Sequence, residues 1–187
     1  MEFLLLFILL IVVAYVLSTF YGSGQNDLYA LIKTVDQSKA KDVNTVTLPE
    51  LQQILGYYDD IFPEVCIQNY INSPGQDIKD KKYTLLILIR AIKTVHAEIL
   101  IEGLNKTIAS RSRFRGQVFQ NIYDIGEPPG FTELKNDIFD HYDKSLDSNV
   151  NNDKMKEGLK LIYACSGIDD WIKKNSTFSK SNTCILI

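Results

Sequence analysis

Three arginines stand close together in SRSRFRG (110–116): Arg111, Arg113 and Arg115. A guanidinium presents a planar fork of N–H donors that matches the oxygens of phosphate and carboxylate. The patch is therefore the candidate contact for phosphate, anionic lipid headgroups or an acidic partner. Lipid-binding clusters usually hold roughly four to eight basic residues, more than stand here. The competing expectation is a solvated loop that pairs with the Asp-rich stretch 137–147.

Other chemistry-bearing patterns are incomplete. His96-Ala97-Glu98 has the H-x-E form of zinc deaminases, but that site also needs Pro-Cys-x-x-Cys, and no Pro-Cys pair occurs. Asp147, Asn149, Asn151 and Asp153 imitate the oxygen ligands of a calcium loop. Asn152 stands where the loop needs Gly, and Gly158 where it needs a bidentate Glu. Asp59, Asp60 and Glu64, and Asp137, Asp140 and Asp143, have helical spacing and read as solvated helix faces. Acid–base work needs carboxyls facing each other with pKa values pushed apart. No G-x-S-x-G, H-E-x-x-H, phosphate loop or G-x-G-x-x-G occurs. Cys66 and Cys165 lie among apolar neighbours and read as core thiols. No catalytic residue, cofactor or metal is expected.

The chain ends NTCILI, with Cys184 fourth from the end. This is the form of a prenylation box, although Ile is outside its usual final residues. The same ending suits strand addition to a peptide-binding groove, or is simply an apolar terminus. Two sequons, Asn105-Lys106-Thr107 and Asn175-Ser176-Thr177, are candidate glycosylation sites if the domain is lumenal. That topology would also permit a Cys66–Cys165 bridge.

The elements that must position these groups begin with a membrane segment. Phe3 to Phe20 is uncharged over 18 residues, which as a helix reaches about 27 Å. Tyr21 extends the span into the interface of a hydrocarbon core about 30 Å thick. A cleaved signal peptide is the alternative, with small residues at Gly22, Ser23 and Gly24. It normally has a basic leader and a shorter apolar run, and no Lys or Arg precedes this one. Lys33, Lys39 and Lys41 follow the span, which places the domain on the cytoplasmic or equivalent side.

Behind the joint 22–26, apolar residues recur at helical spacing throughout 27–174. TLPELQQILGYY opens with Thr47 and Glu50 at capping-box spacing and Pro49 in the first turn. Pro63 should stop or kink that helix. YTLLILIRAIKTVHAEILIEGLNKTI (83–108) reads as the central buried helix, with a strand over Thr84–Ile89 as the alternative. Further helical stripes fall on 117–126, 132–146, 153–165 and 166–174, the last capped by Ser166 and Asp169. The expectation is an all-α protein: one N-terminal transmembrane helix (1–21), then one compact domain of about six or seven helices and a flexible tail, 175–187. Net charge −3 and a pI near 5.4 argue against general nucleic-acid binding.

The functional expectation is a single-pass, membrane-anchored structural or interaction protein. Its partners would be the membrane and other proteins of the same assembly, as a complex subunit or a virion membrane protein. The alternatives are a membrane-tethered enzyme or binding module acting on anionic lipid or phosphorylated substrate, and a lumenal or secreted binding domain released by cleavage.

Overall fold

A computed structural model of the chain describes residues 11–13, 40–95, 108–142 and 152–176. Among these residues the protein is all-helical, without strands. The helices are α1 (Leu48–Gly56), α2 (Glu64–Asn72), α3 (Ile78–Thr94), α4 (Ile108–Ile125), α5 (Phe131–Tyr142), α6 (Asn152–Ala164) and α7 (Ile168–Asn175). Residues 11–13 are helical as well. No helix among the described residues is long and apolar enough to cross a membrane. Most of the run Phe3–Tyr21, the joint 22–26 and the tail from Thr177 onward lie outside the described residues.

The core is organised around α3. Leu85, Leu86, Ile87, Leu88 and Ile89 are consecutive and all fully buried. A helix that is apolar all round belongs at the centre of a bundle. Accordingly α1, α4, α6 and α7 all pack against α3. Each such side chain contributes about 1.5–3 kcal/mol on leaving water. One apolar cluster continues from Val43 and Val46 through each of α1 to α7, ending at Ile172.

Several boundaries differ from the periodicity reading. The segment Thr84–Ile89 is helical rather than a strand. The expected single helix over 83–108 ends instead at Thr94. There the Thr94 hydroxyl donates to the Ala91 carbonyl at 2.9 Å and Val95 turns to extended backbone. The arginine-rich stretch expected as a loop is the beginning of α4. The final helix starts behind Gly167, whose φ of 82° is left-handed, and not from a Ser166 cap.

Local signals explain the remaining ends. The Thr47 backbone N–H and hydroxyl both donate to Glu50, at 3.0 and 3.1 Å, and Lys41 pairs with the same carboxylate. Those contacts, Lys41 first, hold the Glu50 carboxyl well below the usual range. Pro63 is the N-cap of α2, so it separates two helices as its missing N–H requires. The C-terminal end of α2 is closed by a distant residue. The buried Lys81 ammonium donates to the Ile71 and Ser73 carbonyls at 2.6 and 2.7 Å. Helix ends leave carbonyls without partners, and a cation is favoured there.

Candidate functional site

The three arginines do not form one site. On a helix, residues two apart point to different sides. Arg113 is exposed on α4, while Arg115 is half-buried. The Arg111 side chain lies outside the described residues. One Arg115 nitrogen, Nη2, donates to the Asp60 carbonyl at 2.9 Å, and its guanidinium carbon lies 3.5 Å from the Tyr142 ring centre. The Tyr142 hydroxyl donates to the Asp59 carbonyl at 3.3 Å. The Asp59 carboxylate accepts the Glu64 N–H at 2.6 Å, at the start of α2. Arg115 therefore fastens the α1–α2 turn to α4 and α5. Stacking on an aromatic face is a favourable use of a guanidinium, whose hydration is weak.

Asp59 and Asp60 occupy that turn and not a helix face. Burial, chiefly, pushes the Tyr142 phenol up; Asp60 and Asp59 add to this and Arg115 opposes it. Nearby, Cys66 is buried on α2. Burial first, then the Asp137 carboxylate, raises its thiol to about 11. The Cys165 thiol is raised by burial as well. Both cysteines are free and buried, with no bridge between them. Their environment suppresses the thiolate that nucleophilic chemistry needs.

Other candidate residues fall elsewhere. His96, Glu98, Asn105, Asp143, Asp147, Asn149, Asn151 and Cys184 lie outside the described residues. Asn175 is the last residue of α7, and its side-chain amide donates to the Trp171 carbonyl at 2.7 Å. Among the described residues, no group of three His, Cys, Asp or Glu side chains could hold a metal ion.

One concave feature is assembled from distant parts of the chain. Pro49, Gln52, Gln53 and Gly56 form the outward stripe of α1, at positions i, i+3, i+4 and i+7. Tyr57, Glu64 at the start of α2 and Lys154 in the first turns of α6 complete an open groove of about 420 Å³. Gly56 gives it an open floor, because no described group outside its own helix backbone and chain neighbours lies within 4 Å of where a Cβ would stand. Gln52 is held by a hydrogen bond to Gln68. The lining offers carboxamides, a phenol and charges of both signs. Such groups recognise peptide and other polar surfaces by hydrogen bonding. The α1 stripe was legible in the sequence, but its alignment with Lys154 was not. The helix α6 reaches α1 because Gly158 has no side chain: a Cβ there would lie 2.6 Å from Tyr57 Cβ.

No family model matches the chain, and comparisons with curated proteins and with solved structures give no match.

Proposed function

We propose that the chain is a single-pass, membrane-anchored interaction protein, a component of a larger membrane-associated assembly, and that the α1–α2–α6 groove receives a segment of a partner protein. The observation that carries this reading is the groove itself. It has a volume of about 420 Å³ and a lining of Gln52, Gln53, Tyr57, Glu64 and Lys154. Ligand sites commonly fall between about 300 and 1,000 Å³. Side-chain amides suit a peptide, because each carries both a donor and an acceptor. The ionisable clusters nearby support binding rather than turnover: Arg115 and Asp59 fasten helices, and Cys66 is held as a thiol.

Anchoring rests on the uncharged run Phe3–Phe20 and interfacial Tyr21. The lysines that follow favour a cytoplasmic or equivalent position for the domain. The test uses full chain expressed in its native membrane, with alkaline carbonate extraction, then mild-detergent solubilisation and sizing. The expected result is retention in the membrane and migration as an assembly larger than a monomer. Gly56→Leu puts a side chain into the groove where an added Cβ meets no described group within 4 Å, and it should release the partner with the domain still folded. Carbonate release would overturn anchoring. A clean wild-type monomer, or an assembly indifferent to Gly56→Leu, would overturn the groove reading.

A further inference from the structure

The outward face of α4 carries Arg113, Gly116, Gln120, Tyr123 and Asp124, all exposed. Their spacing places them on one side of the helix. Tyr123 is 43% exposed, and Phe139, on α5 beside this face, is 47% exposed. These are large apolar surfaces to leave in water. Both rings are already fixed. Phe139 stacks on Phe119 with centres 5.5 Å apart, and Tyr123 meets the edge of Phe131 at 6.0 Å. The Tyr123 hydroxyl accepts a hydrogen bond from Lys135 at 2.9 Å. The rings therefore lose little freedom on being covered, which favours association.

Gly116 is the second observation. It lies inside α4, where glycine costs about 1 kcal/mol relative to alanine. Among the described residues, its chain neighbours and own helix backbone apart, nothing lies within 4 Å of its missing Cβ. Unlike Gly158, it relieves no contact with the other described helices. It leaves a shallow hole on an exposed helix, seven residues from the Tyr123 ring. Charge is the third observation. Arg113 stands at one end of the face and Asp124 at the other. Gln120 donates to the Asp124 carboxylate at 3.0 Å and so fixes its position.

We infer that this α4 face is a homodimer interface, in which two copies of the chain pair α4 against α4 antiparallel about a two-fold axis. A two-fold interface uses the same patch on both copies, so the patch must complement itself. This one does. Reversing the helix and centring it near Val118 and Phe119 sets Arg113 of each copy opposite Asp124 of the other. The same operation sets each Tyr123 ring toward the other copy's Gly116, where a missing Cβ allows close approach. Phe139 flanks the seam and extends its apolar area. An anionic membrane is a poorer occupant, because Asp124 and Asp140 border the rings.

The test measures energy transfer between differently labelled full-length chains in mild-detergent micelles, across a dilution series. Wild type should show concentration-dependent transfer. Arg113→Glu or Asp124→Arg alone converts both symmetry-related pairs to repulsion and should raise Kd about tenfold. The double reversal R113E/D124R should restore Kd to within about threefold of wild type, since exposed pairs of either polarity are similar. Gly116→Leu should abolish transfer with no loss of folded-state stability, because the position is exposed and an added Cβ meets no described group within 4 Å. Absence of self-association in wild type would overturn the proposal. So would self-association insensitive to the single reversals, which would place the contact elsewhere, such as in the run 3–20. Failure of the double reversal to recover binding would do the same. The α4 face is separate from the groove lining, so these outcomes are independent of Gly56→Leu.

Discussion

Gly158 and Gly116 are both helix glycines, but replacing each by alanine should change stability differently. At Gly158 an added Cβ would meet Tyr57 Cβ at 2.6 Å and Tyr58 Cε2 at 2.8 Å. Carbon atoms prefer about 3.5–4.0 Å, so the overlap is roughly an ångström. Tyr57 Cβ is tied to its backbone and cannot rotate aside. Tyr58 is fully buried, and its hydroxyl donates to the Met155 carbonyl at 3.4 Å on α6 itself. The helix must therefore shift. Overpacking of this kind costs about 1–3 kcal/mol. The gain in helix propensity on Gly→Ala is about 1 kcal/mol at either site. It cancels when the two variants are compared. Gly116→Ala should thus stabilise by about 1 kcal/mol, and Gly158→Ala should lie about 1–3 kcal/mol below it. At this chain length each kcal/mol moves Tm by about 2–4 °C. Thermal unfolding of the two variants and wild type, followed by circular dichroism in one detergent, measures the difference. Equal upward shifts for both variants would refute the close approach of α6 to the α1–α2 turn.

Two further outcomes follow from single buried groups. Lys81→Met removes the ammonium that satisfies the Ile71 and Ser73 carbonyls. It should destabilise by about 2–3 kcal/mol in urea unfolding, because hydrogen bonds to a charged group are lost and the α2 end is left open. Cys66 should resist thiol reagents in a Cys184→Ser background. Its pKa rises from 9.0 to about 11, leaving about a hundredfold less thiolate below both values, before burial slows access further. The folded state favours the protonated thiol, so its contribution is present below pH 9.0 and is lost as pH rises toward about 11. Labelling as fast as that of a small-molecule thiol in folded protein at pH 8 would contradict this burial.

Sequence alone determined the class of this fold and several of its joints. Apolar spacing near 3.6 residues implied helices. Thr47, Pro49 and Glu50 marked the start of α1, and Pro63 separated α1 from α2, because these signals act on neighbouring backbone groups. The run at 85–89 implied a central element, although a strand and a helix both fit an apolar run that short. What sequence could not fix was the pairing of distant groups. The arginine patch read as one basic site, yet helix geometry turned Arg113 outward and drew Arg115 onto Tyr142 and the Asp60 carbonyl. No local pattern singles out Lys81, and its task of closing α2 depends on how α2 and α3 pack. In sequence, Gly158 only marked the ligand missing from a calcium-loop pattern. Only the tertiary structure gave it a purpose, because the distance between α6 and Tyr57 belongs to the packing and not to any local pattern.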